Sequence, residues 1–340
     1  MKVTIKDVAK SADVSIGSVS RVIRKVPGVK NKTREKVLNA IDELGYELNT
    51  VARNLRQKKT NTIGLVLGDI SLKYSAIIAK AVTNTANKHN YSVTMYNSDD
   101  DPEKEVESLK MLRSQRVDGV INTPSKKSIK YINYMHNTGT RIVLAEPFSY
   151  DIKCDGFVSV NNFQGAHDAV KLMLDLGYRR IGMITGNMEV ITSIDRLRGY
   201  NKAFEEKGIT VDTSLIKNGD FTKETAIRNT EELLNNPNRP EAIFTNDIPT
   251  TMGTLMAIKK IGLKIPDDVG LVGFDDPDWA IISDPPITTI RQPIYDIGVT
   301  ACELLLRSIE REENSNYSNK KKITIETKLI IRDSLKKMVN

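Results

Sequence analysis

The chain has 340 residues, of which 39% are hydrophobic and 27% charged, a balance typical of two or three globular units in series. No run approaches the roughly 18 uncharged apolar residues of a membrane span, and the N-terminus lacks the apolar segment of a secretory signal. Two distant cysteines and three histidines, without CxxC or HExxH, argue against disulfides, a metal site or a bound cofactor. We therefore expect a cytoplasmic protein.

Positive charge is concentrated at the N-terminus. Residues 1–60 contain 14 basic and 6 acidic side chains, a net charge of +8, whereas the other 280 residues have a net charge of −1. A small basic unit on a near-neutral body is typical of polyanion-binding proteins. A solvated basic tail would have the same charge, but it should lack a hydrophobic pattern.

The basic segment does have such a pattern. Its apolar residues recur at helical spacing in three runs, which begin after Thr4, at Ser15 and near Asn31. The expected inward-facing side chains are Ile5, Val8, Ala9, Ala12, Val19, Val22, Ile23, Val37, Leu38, Ile41 and Leu44. Residues 12–14 interrupt the first run, and Gly45 ends the third. Three short helices with a tight turn between the first two describe a helix-turn-helix domain.

The N-capping residues that mark helix starts are clear for the first helix of this segment and not for the third. Thr4 and Asp7 have the spacing of a capping box. Lys30, before the third helix, offers no capping oxygen, so either Asn31 caps that helix or its first turn frays.

The second helix is the one expected to enter the major groove. The candidate DNA-contacting residues of the head are Thr4, Ser15, Ile16, Gly17, Ser18 and Arg21. Arg21 can donate two hydrogen bonds to guanine, although contact with a phosphate is the common alternative. Ile16 can make only apolar contacts, such as one to a thymine methyl group.

Three stretches resemble the LacI family of bacterial transcription regulators. They are VTIKDVAKSADVS followed after two residues by SVSRVI (3–23), TREKVLNAIDELGYELN (33–49) and VARNLRQKKTNTIGLVL (51–67). The resemblance continues to about residue 332, with Lys30 standing where the family usually has a serine. It implies a DNA-binding domain at 1–48, a hinge helix at 49–60 and an effector-binding and dimerisation core at 61–340.

The hinge segment is too short to be a stable helix alone, because isolated helices under about 12 residues are marginal in water. We expect it to fold only when DNA supports it. Asn49 or Thr50 could cap a two-turn helix here. The resemblance implies that Leu55 inserts into the minor groove, that Ala52 permits close approach, and that Arg53 and Arg56 face phosphates. Without the resemblance, packing of Leu55 on the body would be the preferred interpretation.

From residue 62, apolar runs rich in β-formers alternate with helical patterns, which predicts doubly wound α/β sheets. The predicted strands are 62–67, 92–96, 119–123, 141–145, 157–160, 181–185, 242–245 and 270–274, with a further strand at 324–332. The predicted helices are 75–89, 103–113, 165–176, 196–206, 224–234 and 250–261. The pattern restarts near residue 161, which indicates two Rossmann-like subdomains.

The resemblance implies a periplasmic-binding-protein architecture in which the chain crosses between subdomains near residues 160, 291 and 323. The N-subdomain would then comprise about 61–160 and 292–322, and the C-subdomain about 161–291 and 323–340. No GxGxxG, GxxxxGK[ST] or GxSxG motif is present, so we do not expect an enzyme.

A cleft between the subdomains is the expected effector site. By resemblance, its candidate residues are Asp69, Tyr74, Glu146, Asn161, Arg196, Phe221, Asn246, Asp247 and Asp275. Arg196, in an R-x-x-G-[YFW] pattern, is expected at a strand-to-helix junction, where it could hold hydroxyl, carboxylate or phosphate groups. A salt bridge to a helix end is the structural alternative. Lys73 together with Arg196 suggests an anionic sugar, although a solvated Lys73 is the simpler explanation; Trp279 is expected to pack.

These features predict a repressor of carbohydrate-use genes, controlled by a sugar or sugar acid. The chain ends about eight residues after the strand at 324–332, so we expect a homodimer on a pseudo-palindromic operator and no tetramerising helix. Residues 292–305, QPIYDIGVTACELL, resemble the catabolite control proteins of Gram-positive bacteria, but Glu303 stands where those proteins carry an arginine that meets a phosphoprotein, which disfavours a co-repressor-activated catabolite regulator. A purine effector is disfavoured because Val190 stands where the resemblance places a pocket arginine of purine repressors. A solute-binding protein with a basic leader is the alternative from another class.

Overall fold

The computed structural model describes residues 3–23, 26–46, 59–146, 148–310 and 320–338. These form two units, the head at 1–60 and the body at 61–340. No helix among the described residues is long and apolar enough to cross a bilayer.

The head is a three-helix domain, as the hydrophobic spacing predicts. Its helices are α1 (Ile5–Ser11), α2 (Ile16–Ile23) and α3 (Asn31–Glu43). Asp13, at φ +51°, turns the chain between α1 and α2. The buried core consists of Val8, Ala9, Ala12, Val19, Val22, Val37 and Ala40.

Capping agrees with the sequence at the first helix and differs at the third. The Asp7 carboxylate accepts from the Thr4 backbone N–H at 2.8 Å and from the Thr4 hydroxyl at 2.6 Å, and these bonds lower the pKa of Asp7. At α3, Lys30 is the N-cap residue, and its carbonyl accepts two first-turn amides at 3.0 Å. The proposal that Asn31 caps this helix was therefore wrong, because Asn31 is already its first helical residue.

Leu38 was also misplaced. Its side chain is 51% exposed, whereas Val37 and Ala40 are buried. Successive helical residues lie 100° apart, so Leu38 falls beside the inward face rather than on it.

The body contains two six-stranded sheets. The first has the order β11-β5-β4-β3-β1-β2 and is entirely parallel. Its strands are β1 (Thr62–Leu67), β2 (Ser92–Asn97), β3 (Gly119–Asn122), β4 (Arg141–Ala145), β5 (Gly156–Val160) and β11 (Lys321–Ile325). The second has the order β12-β10-β9-β8-β6-β7, in which only edge strand β12 is antiparallel. Its strands are β6 (Ile181–Ile184), β7 (Ile216–Lys217), β8 (Ala242–Thr245), β9 (Gly270–Phe274), β10 (Thr288–Arg291) and β12 (Lys328–Ile330).

Helices cover both faces of each sheet. On the first they are α4 (Lys73–Lys88) and α12 (Ile294–Glu310) on one face, and α5 (Pro102–Ser114) and α6 (Ile129–Asn137) on the other. On the second they are α7 (Asn162–Asp175) and α8 (Ile191–Glu206) on one face, and α9 (Lys223–Leu234) and α10 (Ile248–Ile261) on the other, with the short α11 (Trp279–Ile282). We call each sheet with its helices a lobe. Trp279 packs in the second lobe, as expected.

The chain passes between the lobes three times, at 160–162, 291–294 and 325–328. The first two crossings lie where the sequence placed them. The third lies later than residue 323, because the predicted strand at 324–332 is two strands, β11 and β12, in different sheets. Residues 323–325 therefore pair with β5 of the first lobe instead of belonging to the second.

The start of α8 also differs from its prediction. The helix begins at Ile191, five residues before the predicted start, so Arg196 lies in its second turn rather than at a strand-to-helix junction. The β-branched residues at 191 and 192 weaken the helical signal, but Ser193 is buried and the turn is held by tertiary packing.

Close packing of α7 on α8 depends on Gly199. A methyl group there would lie 2.2 Å from the Phe163 carbonyl oxygen, so we expect Gly199→Ala to destabilise the body by about 1–3 kcal/mol. Urea unfolding of the full chain measures this. Asn201→Ala, at an exposed position of the same helix, is the control and should change stability by less than about 0.5 kcal/mol. Equal stability of the two variants would contradict the packing assigned to Gly199.

Candidate functional site

The head presents the start of α2 to solvent. Ser15, Ile16, Gly17 and Arg21 are exposed, and Ser18 is half-buried. The Ser15 hydroxyl accepts from the Ser18 backbone N–H at 3.1 Å, which fixes the first turn of the helix. The predicted DNA-contacting residues of α2 are thus accessible to solvent, fully or in part, and the Thr4 hydroxyl is already bonded within its own capping box. Their contacts with DNA remain a prediction.

The predicted hinge residues fall outside the described part of the chain. They are Asn49, Ala52, Arg53, Leu55 and Arg56. Their roles remain as the sequence predicts them.

In the body, Arg196 lies at the centre of a buried polar cluster. The side chain is 5% exposed. Its Nε donates to Asn162 Oδ1 at 2.8 Å, its Nη1 donates to the Asn246 carbonyl, and its guanidinium lies 3.6 Å from the centroid of the Phe274 ring. Within the described residues Arg196 forms no direct salt bridge, so the helix-end alternative is wrong.

Carboxyl groups from both lobes surround this cation. The charge of Arg196 interacts with Asp275, Glu146 and Asp247, and burial lowers the pKa of the guanidinium. Burial raises the pKa of Glu146 to about 7, against the opposing effect of Arg196, and raises the pKa of Asp275 to about 6. Glu146 follows β4 of the first lobe, whereas Asp275 follows β9 of the second. The cluster therefore lies where the lobes meet at the carboxyl ends of their strands.

Several buried polar atoms in and beside this cluster have no hydrogen-bond partner within the part of the chain that the structure describes. They are Tyr74 Oη, Asn246 Nδ2 and Oδ1, Gln292 Oε1 and Ser193 Oγ. Unpartnered buried polar groups are costly, and they are common where a ligand supplies the missing bonds. Both a phenol and an amide are thus available to hydrogen-bond a polar molecule.

Phe221 and Asn246 meet at Gly186. A methyl group on Gly186 would lie 2.1 Å from the Phe221 ring and 2.6 Å from Asn246 Nδ2, so only glycine allows this approach. Phe221, Glu146 and Asp275 all have positive φ, at 66°, 54° and 74°. Such strained backbone in non-glycine residues concentrates at ligand sites.

The structure brings together six of the predicted cleft residues around Arg196 and Gly186. They are Tyr74, Glu146, Phe221, Asn246, Asp247 and Asp275, with Arg196 itself the seventh member. Asp247 has a second task, since its Oδ1 caps α10 by accepting from Thr250 N at 2.8 Å. Burial raises the pKa of Asp247.

Two predicted residues lie elsewhere. The side chain of Asn161 caps α7 by accepting from Gln164 N at 3.1 Å, and its amide donates to Glu326 at 3.1 and 3.2 Å. Asp69 Oδ1 accepts from Ser71 N at 2.8 Å in the turn after β1. The Asn161 side chain is thus engaged by the first turn of α7 and by Glu326, and the Asp69 side chain by its own turn.

Lys73 is not a further cation of the cleft. Its Nζ lies 2.5 Å from Asp278 of the second lobe, so its charge is already paired. The Lys73 side chain is 53% exposed, so the simpler explanation, a solvated lysine, agrees with the structure, and its surface pair with Asp278 argues against an anion-binding role.

Sequence reasoning missed three members of the site. Asn162 binds the guanidinium, Phe274 stacks on it, and Gln292 donates to Asp275. Asn162 could have been found, since it is the next residue after the asparagine that we chose. The sequence around Phe274 and Gln292 gives no indication of a ligand site. Phe274 has the pattern of a buried strand residue, and Gln292 lies in the segment where the chain crosses between the lobes.

Comparison with known proteins identifies both units. The model "Bacterial regulatory proteins, lacI family" matches residues 4–49, and "Periplasmic binding protein-like domain" matches 170–335. Catabolite control protein A of Priestia megaterium is 34% identical over 92% of this chain and 94% of its own length. The ribose operon repressor of Halalkalibacterium halodurans is 34% identical over 98% of this chain and 97% of its own.

The chain belongs to the LacI family. A solved structure of the Lac repressor dimer, bound to operator and the anti-inducer ONPF, superposes with a TM-score of 0.85 at 26% identity, covering 98% of this chain and 99% of that one. This LacI-family protein is a DNA-binding transcription regulator with an effector-binding cleft, and it is not an enzyme. Its head is therefore a DNA-binding domain and not an incidental basic leader.

The raised carboxyl pKa values predict how stability depends on pH. A carboxyl that holds its proton more tightly when folded stabilises the fold at low pH, and this contribution is lost as pH rises from about 4 through the folded pKa. For Glu146 that loss is complete above about pH 7. Glu146→Gln keeps the neutral form, so we expect it to flatten the decline and to add about 1–3 kcal/mol at pH 8.

Urea unfolding between pH 5 and 8 measures this effect. Glu107→Gln, an exposed glutamate of α5, is the control and should leave the pH profile unchanged. A Glu146→Gln protein that is less stable than wild type at pH 8 would show that the ionised carboxylate stabilises the cluster.

Proposed function

We propose that this LacI-family regulator represses carbohydrate-use genes and that an uncharged sugar in the interlobe cleft controls its operator affinity. The observation that carries the proposal is the composition of the buried cluster. One guanidinium stands among three carboxyl groups, so a further negative charge on a ligand would be repelled. This narrows the expectation from the sequence, which included sugar acids.

The hydrogen-bonding groups of the cluster support a polyhydroxylated ligand. Carboxylates accept from hydroxyl groups, the guanidinium and the Asn246 amide donate to them, and the unpartnered Tyr74 phenol can do either. The Phe221 ring, held against Gly186, offers an apolar face for a sugar ring. Such a mixture of a few polar groups and one aromatic face is typical of small-molecule sites.

A co-repressor-activated catabolite regulator is the second candidate, favoured by similarity to catabolite control protein A. Glu303 counts against it. The carboxylate is half-buried on α12 and lies 3.4 Å from Arg307, so it places negative charge where a phosphoserine would have to approach. A purine effector is disfavoured because Val190, the N-cap residue of α8, offers only an apolar side chain.

On DNA, we propose a cytoplasmic homodimer whose two heads contact half-sites of a pseudo-palindromic operator. The hinge segments pair in the central minor groove, where Leu55 inserts between base pairs at a cost of a few kcal/mol that the added contacts offset. The effector acts through its different affinities for two lobe arrangements, typically worth about 1–3 kcal/mol of coupling.

The role of Arg21 is testable on DNA. If Arg21 contacts a base edge, Arg21→Ala should weaken binding to the operator by about 1–3 kcal/mol, or roughly 5- to 150-fold, and weaken binding to random DNA much less. Gel shifts with an operator fragment selected from genomic DNA, at two salt concentrations, measure both. Lys36→Ala, at an exposed position of α3, is the control for nonspecific charge. Equal loss on both DNAs would indicate a phosphate contact instead.

The effector class is testable by thermal shift of the full chain. We expect an uncharged sugar from a panel of ribose, glucose, galactose and cellobiose to raise the melting temperature, and gluconate, glucuronate and glucose 6-phosphate to have no effect. Arg196→Lys should abolish the shift, because lysine cannot make the same directed bonds to Asn162 and the Asn246 carbonyl. Lys202→Gln, at a half-buried position of the same helix where the lysine pairs with Glu205, should retain it.

A shift with the acids or phosphate alone would overturn the uncharged-sugar proposal. A shift with adenine, guanine or hypoxanthine alone would favour the purine interpretation.

A further inference from the structure

Two hydrogen bonds join the first lobe directly to helix α8 of the second. The Tyr150 hydroxyl donates to Asp195 Oδ2 at 2.9 Å. The Ile191 backbone N–H donates to the Phe148 carbonyl at 3.2 Å. Tyr150 and Phe148 lie in the loop between β4 and β5, so one loop contacts the first two turns of α8.

A third contact reaches the residues just before this helix. Lys126, in the loop after β3, lies 2.6 Å from Glu189, in the loop after β6. Both side chains are more than half exposed, so this ion pair alone contributes little. Its position nevertheless brings a second first-lobe loop to the same segment of the second lobe.

The Tyr150 hydroxyl is held in position from within its own lobe. Its ring stacks on Phe157 with centroids 5.2 Å apart, and Lys322 Nζ lies 4.3 Å from the ring centroid. Burial and the neighbouring Asp195 raise the pKa of Tyr150, which keeps the phenol protonated as a donor. Tyr150 therefore presents a fixed, directed hydroxyl to the other lobe.

These contacts lie on the same segments that build the effector cluster. The β4–β5 loop begins at Glu146, the first-lobe carboxyl of the cluster, and Asp195 immediately precedes Arg196. Neighbouring residues on a helix point in directions about 100° apart. Thus Arg196 faces the cluster, while Asp195 is bonded to the opposite lobe.

We propose that Tyr150 and Asp195, with the Phe148–Ile191 backbone bond and the Lys126–Glu189 pair, form an interlobe latch that fixes the distance between Glu146 and Arg196. Tyr150 and Asp195 are positioning residues: they act on the effector through the relative placement of the two lobes. The effect on sugar affinity rests on the proposed function, whereas the latch itself does not.

Loss of the latch shifts the population towards separated lobes. A ligand that needs both lobes binds only the closed fraction, so its apparent affinity falls in proportion to that fraction. Tyr150→Phe removes the hydroxyl and keeps the ring on Phe157, which separates the loss of the latch from a loss of packing.

The Ile191 amide reports latch opening without any ligand. As the first residue of α8, Ile191 has no acceptor within the helix, so its protection from hydrogen exchange depends on the Phe148 carbonyl. We expect Tyr150→Phe to speed exchange at Ile191 several-fold in the full chain, with the melting temperature almost unchanged. Tyr134→Phe removes a tyrosine hydroxyl bonded within the first lobe, to Arg113 at 2.7 Å, and should have no effect at Ile191.

A double-mutant cycle identifies the partner of the hydroxyl. If Tyr150 acts through Asp195, Tyr150→Phe combined with Asp195→Ala should exchange no faster at Ile191 than Asp195→Ala alone. Additive effects would overturn this pairing. Unchanged exchange in both single variants would overturn the latch.

Charge reversal tests the ion pair between Lys126 and Glu189. Lys126→Glu should speed exchange at Ile191 by less than Tyr150→Phe does, and Lys126→Glu combined with Glu189→Lys should restore the wild-type rate. Failure of the reversed pair to restore it would remove this contact from the latch.

Sugar titration of the same variants tests the positioning role. We expect Tyr150→Phe to weaken binding of the stabilising sugar from the panel several-fold. Faster exchange with unchanged sugar affinity would overturn that role. If no uncharged sugar binds wild type, the proposed function fails, while the exchange measurements still decide the latch.

Discussion

The arrangement of the effector cluster in the body depends on keeping the buried guanidinium of Arg196 out of water. Transfer of an arginine charge to a protein interior costs several kcal/mol unless hydrogen bonds and opposite charges replace its hydration. Here Asn162 and the Asn246 carbonyl supply the bonds, the Phe274 ring covers one face, and carboxyl groups supply negative charge. The start of α7 and the carboxyl ends of β8 and β9 must therefore converge on α8 in one arrangement.

The two lobes contribute differently to this arrangement. Asn162, Asn246 and Phe274 belong to the same lobe as Arg196, so they hold the guanidinium whatever the position of the other lobe. Glu146 and Tyr74 come from the first lobe and reach the cluster only when the lobes meet. Burial raises the pKa of Glu146 to about 7, so the ionised carboxylate is the form that closure disfavours, whereas the Tyr74 phenol is uncharged at neutral pH in either state. For Glu146, closure of the lobes thus carries an electrostatic cost as well as new contacts.

The sequence predicted the elements better than the site. Strand patterns such as Thr62–Leu67 are local, and so are the spacing of Val8 with Val19 in the head and the Thr4–Asp7 cap; each was placed correctly. The failures involve distant partners. Nothing near Lys73 indicates its partner Asp278, and nothing near Phe274 or Gln292 indicates that these residues contact Arg196 and Asp275. The break between β11 and β12 is also invisible locally, because each half of the segment suits a strand and only the pairing assigns it to a sheet.

The composition of the cluster explains why a ligand there can act as a switch. A ligand shifts an equilibrium only by its difference in affinity for two states. One that bound Arg196 and Asn246 alone would bind the second lobe equally well in either state, and would shift nothing. A ligand that also bonds to Glu146 or Tyr74 must favour the arrangement that brings these groups to Arg196. The coupling between effector binding and lobe arrangement therefore follows from the division of the site between the lobes. First-lobe groups determine the coupling free energy, even where second-lobe groups supply most of the binding affinity.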